Sequence, residues 1–147
     1  MSDDPNWVKA RAACTLEENF ASLSKSIRKD VRRFNGLPNT IRADRLFVVQ
    51  DRKAGIAVVR AKLIHDHRAA QGERVIADED FDQDFVAVEY GNDLIVARRR
   101  PQFELTIHPR WNADTLTCDL FIDDTPHPLW NISARILEPF LFDDKTA

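Results

Sequence analysis

Glycine is scarce in this chain, with 4 glycines among 147 residues and none of them closely spaced. Loops that bind the phosphates of nucleotides through backbone amides need several neighbouring glycines, so the usual phosphate-loop and dinucleotide-binding motifs are excluded. The 7 prolines and the absence of a Gly/Ser-rich stretch also exclude a low-complexity chain and mark no linker. The length suits one domain with its own core.

The chain also has few cysteines and no long apolar run. Cys14 and Cys118 are too few for a disulfide framework, and each has apolar neighbours, so we expect both to be reduced and buried. No run approaches the roughly 20 apolar residues of a membrane-spanning helix. The start of the chain, residues 1–4, lacks the basic and apolar regions of a signal peptide. We therefore expect a cytoplasmic protein with no membrane partner.

Sequence motifs for catalysis are missing as well. There is no Gly-x-Ser-x-Gly elbow, and no cysteine stands beside a histidine. We predict no catalytic residue and no cofactor, and favour a protein that is not an enzyme. An enzyme whose groups converge from distant strands stays open, because sequence spacing cannot detect such a site.

What the sequence does contain is one long amphipathic pattern. Its apolar residues recur at steps of three and four, the spacing of one helix face; they are Leu16, Phe20, Leu23, Ile27, Val31 and Phe34. The opposite face is mostly cationic and carries Lys25, Arg28, Lys29, Arg32 and Arg33. The pattern predicts a helix that buries one side and presents positive charge on the other.

The ends of this helix have their own signals. Asp4 before Pro5 is one predicted start, and Thr15 followed by Glu18 fits a capping box. The helix therefore either runs on from about residue 6 or breaks near residue 14. Gly36 in a left-handed conformation and the following Pro38 are expected to end it.

From residue 46 onward the apolar period changes to two, which is typical of strands. Eight strands are predicted, over residues 46–50, 56–64, 73–77, 85–90, 94–99, 103–108, 116–122 and 129–132. Reversals are expected at residues 91–92, 99–102 and 109–112, and such short connections favour an antiparallel meander. Ser133 would cap a short helical segment that Pro139 stops or kinks.

Together these patterns predict a single α+β domain over residues 1–147. Residues 1–36 would be helical, residues 46–132 would form a curved, mostly antiparallel sheet of about eight strands, and residues 133–147 would be a C-terminal segment. The apolar helix stripe would cover the sheet. The alternative is a helix-mediated homodimer, because the stripe approximates heptad positions, although Asp30 interrupts the seam. Monomer and homodimer both remain open.

The net charge of −3 conceals a strong asymmetry along the chain. Residues 1–77 hold 15 Lys+Arg against 9 Asp+Glu, a balance of +6, and residues 78–147 hold 6 against 15, a balance of −9. Either the two parts neutralise each other within the fold, or they form surfaces with different partners.

The basic helix gives the first candidate site. Arg28, Lys29, Arg32 and Arg33 are predicted to bind a polyanion such as nucleic acid, with possible help from Arg42, Arg45 and Arg98 to Arg100. The face has no recognisable set of base-reading side chains, so sequence-specific recognition is not indicated. A solvated helix face is the alternative.

Two further patterns resemble metal sites but are incomplete. Acidic residues that follow the predicted strand at residues 73–77 have the oxygen spacing of a calcium-binding loop; they are Asp78, Asp80, Asp82, Asp84 and Glu89. Gln83, however, stands where that loop needs glycine. His65 and His67 flank Asp66 with a spacing that two zinc ligands can use, but no third ligand is evident. We predict no metal site.

The last candidate is a rigid polar turn at residues 123–128 between apolar segments. Trp111, Trp130 and this turn could line a ligand or protein site, and Trp111 and His127 are predicted to contact a protein partner. The alternative is that Trp7 and Trp130 pack in the core or at an edge of the fold. The first functional hypothesis is therefore a non-enzymatic interaction module whose partner is a protein. The second is a polyanion-binding accessory factor, and the third is a small enzyme or ligand binder with a pocket between helix and sheet.

Overall fold

A computed structural model describes residues 6–65, 72–81 and 83–143 and confirms the predicted α+β class. In those ranges four helices pack with one open antiparallel sheet of eight strands. The helices are α1 Trp7–Ala12, α2 Leu16–Asn35, α3 Asn39–Arg42 and α4 Leu129–Leu141. The strands are β1 Leu46–Arg52, β2 Gly55–His65, β3 Glu73–Ala77, β4 Phe85–Gly91, β5 Leu94–Arg99, β6 Phe103–Asn112, β7 Thr117–Ile122 and β8 Thr125–His127.

The sheet has the strand order β1-β2-β4-β5-β6-β7-β8, and every neighbouring pair is antiparallel. Strand β3 pairs with the end of β2 that extends beyond β1, and a single 3-10 turn over Glu79–Phe81 leads on towards β4. Apart from this detour, consecutive strands lie side by side, as short connections predict.

The N-terminal helical region is broken near Cys14. Thr15 caps α2, because its hydroxyl oxygen accepts a hydrogen bond of 3.1 Å from the Glu18 backbone N–H. This confirms Thr15 as the N-cap and the start of the long helix, but the reciprocal bond of a capping box is not made, because the Thr15 N–H donates to the Ala13 carbonyl. Asn6 caps α1 through the Lys9 N–H, while the predicted start at residues 4 and 5 lies outside the described residues.

The predicted end of α2 is correct, but the predicted conformation of Gly36 is wrong. Gly36 has φ −81° and ψ −6°, so it is right-handed, and its N–H still donates to the Arg32 carbonyl. Pro38, which has no N–H, separates α2 from α3. Just before that stop, the Asn35 side-chain amide bonds both the N–H and the C=O of Phe47 and so covers part of the β1 edge.

The core lies between the sheet and two helices. The α2 residues Leu23, Ile27, Val31 and Phe34 are at most 3% exposed, so the predicted apolar stripe faces its own sheet and is not free for a coiled-coil partner. Helix α4 covers the sheet beside α2 with a stripe of its own, formed by Ile132, Ile136, Leu137, Phe140 and Leu141.

Two predicted details of the sheet are wrong. Residues 129–132 are the first turn of α4 and not a strand, because their apolar side chains continue the α4 stripe; the eighth strand is Thr125–His127. Residues 109–112 do not reverse the chain but continue β6, where Pro109 pairs with Leu120 of β7. The reversal follows at residues 113–116, where Leu116 takes φ 55°.

The C-terminal helix is longer than predicted. Ser133 is not its cap but a fully buried interior residue whose hydroxyl donates to Asp30 of α2 at 2.7 Å. Pro139 lies inside the helix without ending it. The burial of Phe140 and Leu141 beyond the proline outweighs the loss of one helical hydrogen bond.

The expected state of the cysteines is also wrong. Cys14 and Cys118 are half-buried and form a disulfide that joins the turn after α1 to β7. The two cysteines are 104 residues apart in sequence, and no local pattern around either of them indicated that they pair.

We predict that the disulfide stabilises the fold by limiting the freedom of the unfolded chain. Replacing both Cys14 and Cys118 with serine should lower the free energy of unfolding by about 2–4 kcal/mol, measured by urea denaturation. The non-reduced protein should not react with a maleimide until a reductant is added. Two thiols that react without reduction, or an unchanged urea midpoint in the serine variant, would contradict the pairing.

Candidate functional site

The cationic residues predicted on α2 are divided between two sides of the helix. Arg28 faces β1, where its guanidinium pairs with Asp51, and the exposed Arg32 lies on the same side. Arg33 lies on the α4 side and pairs with Asp30 at 3.2 Å. Lys29 is exposed between these two sides. The structure therefore brings together only part of the predicted set.

On the β1 side, a seam runs between α2 and the sheet. Arg28 and Arg32 line both of its two cavities, which have volumes of about 460 and 430 Å³. Lys25 adds a third cation to the first cavity, and neither Lys25 nor Arg32 has an ion-pair partner within the described ranges. We call this feature the α2–β1 seam.

The seam also has an aromatic element that the sequence pattern did not indicate. The rings of Phe20 and Tyr90 are stacked with their centroids 4.5 Å apart, and both line the first cavity. Phe20 could be recognised only as a member of the apolar stripe. Tyr90 is the one tyrosine of the chain and lies near the end of β4, with no motif around it. Only the fold places it beside the cations.

On the other side of α2, a groove separates it from α4. The cavity has a volume of about 420 Å³, and its walls are mainly apolar, formed by Phe34, Leu37, Leu137 and Leu141. Two exposed aromatic side chains flank it: Trp130 is 68% exposed and Phe142 is 45% exposed. We call it the α2–α4 groove.

The rim of the α2–α4 groove is polar. It contains Asp30, Arg33 and Glu138. Asp30 and Arg33 pair with each other, whereas the exposed Glu138 carboxylate contacts no cation in the part of the chain that the structure describes. The groove therefore combines an apolar floor with one uncompensated negative charge.

The two predicted partner-binding residues lie elsewhere. Trp111 on β6 is half-buried beneath the Arg11 guanidinium, which lies 5.6 Å from its ring centroid. His127 on β8 is also half-buried, and its Nδ1 lies 3.1 Å from the Asn131 amide oxygen in the first turn of α4. Both side chains thus make contacts inside the fold, and their role in partner binding stays a prediction.

The incomplete metal patterns do not gather ligands in the described residues. Asp84 bonds Arg99, and Asp78 accepts a hydrogen bond from the Asp80 N–H and lies 3.9 Å from the Lys62 ammonium. Residues 66, 67 and 82 of those patterns lie outside the described residues. Within the described part of the chain, no three histidine, cysteine or carboxylate side chains are close enough to hold one metal ion.

A buried ion cluster holds α4 on the sheet. Arg99 of β5 is 2% exposed and makes two bonds of 2.8 Å to Asp84, one of 2.8 Å to Asp143 and one to the Pro139 carbonyl. The hydrogen bonds that Arg99 donates to Asp84, followed by the one that it donates to Asp143, raise the pKa of Arg99 against the opposing effect of burial. These contacts use four of the five guanidinium N–H groups of a nearly fully buried side chain, so we assign the cluster a structural role.

Comparisons with known proteins add no functional assignment. No family model, curated protein or solved structure matches the chain significantly. The structure does show that no helix in the described ranges is both long and apolar enough to cross a membrane.

We predict that removing both carboxylates of the Arg99 cluster is more harmful than removing the whole cluster. The double variant Asp84→Ala, Asp143→Ala leaves a buried cation without its carboxylate partners, so its free energy of unfolding should fall. We expect a loss of about 2–4 kcal/mol, discounted from that of a fully buried pair because Asp84 is partly solvated. Adding Arg99→Met should recover part of this loss. Urea denaturation of the double and triple variants, beside the original chain, measures both changes.

Arg110→Met is the matched control, because Arg110 also stacks on a ring and pairs with a carboxylate but is exposed. It should change the unfolding free energy by less than about 1 kcal/mol. A loss in Arg110→Met as large as that in the Asp84→Ala, Asp143→Ala double variant would show that burial of the ion cluster is not the cause.

Proposed function

We propose that this protein is an interaction module that binds an amphipathic helix of a partner protein in the α2–α4 groove. The observation that carries the proposal is the 68% exposure of Trp130 at the edge of an apolar cavity. Tryptophan is enriched among the residues that dominate binding energy at protein interfaces, and Trp130 stands at the edge of an apolar cavity.

The shape of the groove favours a helix as the occupant. Two helices form its walls, and the floor is a row of apolar side chains from both of them, including Phe34 and Leu137. An amphipathic helix can insert apolar residues at positions i, i+3, i+4 and i+7 into such a groove. An extended peptide would instead need free backbone groups of a sheet edge, which this groove does not contain among its lining residues.

The charge on the rim specifies the partner further. Asp30 and Glu138 together outweigh Arg33, and residues 78–147 as a whole carry a balance of −9. A partner helix with a basic residue beside its apolar face would therefore be favoured over an acidic one, mainly through a faster association rate.

A library of amphipathic helical peptides with varied flanking charge tests this proposal. Peptides selected on the immobilised protein should be enriched in Lys or Arg beside the apolar face. Trp130→Ala should weaken their binding at least about tenfold, which corresponds to about 1.4 kcal/mol, because it removes the aromatic edge of the groove. Fluorescence anisotropy with labelled peptides measures the dissociation constants.

Trp7→Ala is the matched control for that experiment. Trp7 is 50% exposed but lies on α1 and does not line the groove, so its loss should leave peptide binding unchanged. Equal weakening by both variants would contradict the proposal. Sedimentation should also be compared, since self-association that Trp130→Ala abolishes would assign the groove to a second copy of the chain.

The α2–β1 seam supports polyanion binding as a second candidate function. The specific observation is that Lys25, Arg28 and Arg32 share a wall with the stacked rings of Phe20 and Tyr90. Single-stranded nucleic acids are bound without sequence preference by this combination, because cations contact the phosphates and aromatic rings stack on the bases. The overall acidic charge of the chain opposes such binding, so it ranks second.

Titration with labelled single-stranded and double-stranded DNA across a salt series tests this second function. The triple alanine variant at Lys25, Arg28 and Arg32 should lose binding and flatten the salt dependence by about one unit of slope per lost phosphate contact. A control that removes three exposed cations elsewhere, at Lys9, Arg100 and Arg135, should retain the binding.

The variant Arg33→Ala tests whether DNA binds at the α2–β1 seam or at the whole basic helix face predicted from the sequence, which included Arg33. Because Arg33 faces α4, its loss should leave DNA binding unaltered. Equal loss in the triple variant and its charge-matched control would show attraction by net charge alone and contradict a specific surface.

Two expectations from the sequence stay predictions. A cytoplasmic location is opposed by the disulfide between Cys14 and Cys118, because cytosolic glutathione and thioredoxin keep most thiols reduced. An enzyme or ligand binder with a pocket between helix and sheet would use the α2–β1 seam, where the cavities of that type lie.

A further inference from the structure

Arg60 on β2 has an unusual environment for a cation. Its guanidinium carbon lies 4.9 Å from the ring centroid of Phe81 and 5.8 Å from that of Phe47. These rings come from the 3-10 turn after β3 and from β1, so two separate elements hold the side chain in place. Stacking on aromatic rings orients a guanidinium and leaves its N–H groups free to bond in the plane.

No anion satisfies those N–H groups among the described residues. The Arg60 side chain donates no hydrogen bond and forms no ion pair there. Arg99 and Arg110 also stack on rings, and they pair with the carboxylates of Asp84 and Asp124. Arg11 and Arg52 have no ion pair among the described residues either, but each of them lies over one ring, whereas Arg60 lies over two. Burial, and then the nearby charge of Arg45, lower the pKa of Arg60, although Asp78 and Asp84 act in the opposite direction. The fold therefore holds a partly desolvated cation without a direct counterion.

Arg60 lines a cavity of about 410 Å³ together with two other cations, Arg42 and Lys62. The Arg42 guanidinium already donates to the carbonyl oxygens of Leu37 and Arg45, so only its other N–H groups can bind a ligand. Two carboxylates are also present, but Asp44 bonds the Asn39 amide at 2.6 Å and Asp78 lies 3.9 Å from the Lys62 ammonium. The remaining walls include Leu46, Leu63 and Phe81. We call this the Arg60 cavity.

We propose that the Arg60 cavity binds the phosphate group of a small phosphorylated molecule, with Arg60 as the main ligand of the phosphate and Arg42 and Lys62 beside it. A tetrahedral phosphate offers acceptors in several directions and so suits donors that converge from an α3 residue and from β2. The cavity is larger than a phosphate ion, so its apolar wall can hold the organic part of the molecule.

This inference is independent of both functions proposed above. None of the residues that line the Arg60 cavity lines the α2–α4 groove or the two cavities of the α2–β1 seam. Failure of the phosphate experiment would therefore leave peptide and DNA binding untouched, and the reverse also holds.

Nuclear magnetic resonance titration of the full chain with inorganic phosphate and phenyl phosphate tests the proposal, with sodium chloride added to match ionic strength. Saturable shifts of the Arg60 side-chain N–H and of amides in α3 and β2 are expected for both anions. Tighter binding of phenyl phosphate would show that the apolar wall holds the organic part, whereas equal affinity would overturn that half of the proposal.

The variants decide the role of Arg60. Arg60→Met should weaken phosphate binding at least about tenfold, and Arg60→Lys should weaken it several-fold, because an ammonium cannot form the paired hydrogen bonds of a guanidinium. Arg110→Met, which removes a stacked arginine that already has a carboxylate partner, should bind phosphate like the original chain.

Three results would overturn the proposal: linear shifts that chloride reproduces, unchanged affinity in Arg60→Met, or equal loss in Arg110→Met. If Arg60→Met fails to fold by circular dichroism, Arg60→Lys decides the question, since it keeps the charge and the aliphatic stem. Unchanged phosphate affinity in that variant would likewise overturn the proposal.

Discussion

The burial of α2 against both the sheet and α4 is the constraint on which the other contacts depend. Leu23 and Ile27 are completely buried, and the Ser133 hydroxyl of α4 donates to Asp30 on the flank of the same helix. Helix α2 also supplies one wall of the α2–α4 groove and one wall of the α2–β1 seam. Any movement that separates α2 from the sheet would therefore change both candidate surfaces at once, so folding and binding share one element.

The buried Arg99 cluster complements this apolar layer by fixing the end of α4. Burying a cation costs free energy that its carboxylate partners only offset, so such a cluster contributes more to a unique arrangement than to net stability. This arrangement also bears on the proposed binding groove. Asp143, one partner of Arg99, directly follows Phe142, and Phe142 and Leu141 line the α2–α4 groove. The polar cluster on the far side of α4 thus helps to determine the shape of the apolar groove.

Local patterns predicted α2, strands β1 to β7 and the antiparallel order, because these elements bury one face with a regular period. They failed for α4, where burial of Phe140 outweighs the helix-ending tendency of Pro139. Of the candidate sites they indicated only part of the basic helix and the aromatic Trp130 beside the turn at residues 123–128, and they indicated neither the α2–α4 groove nor the Arg60 cavity. Trp130 belonged to a segment assigned as strand, and Phe47, Arg60 and Phe81 come from three separate elements. Only tertiary structure brings such groups together.

The disulfide between Cys14 and Cys118 has a topological consequence. It closes a covalent ring that contains α2, α3 and strands β1 to β6 with the start of β7, while α4 lies outside the ring. A protease that cuts one peptide bond anywhere within the ring would leave two pieces still joined through sulfur, and the cut chain would separate only after reduction. Helix α4 has no such covalent tether, so its place beside α2 depends on packing, on the Ser133–Asp30 hydrogen bond and on the Arg99 cluster.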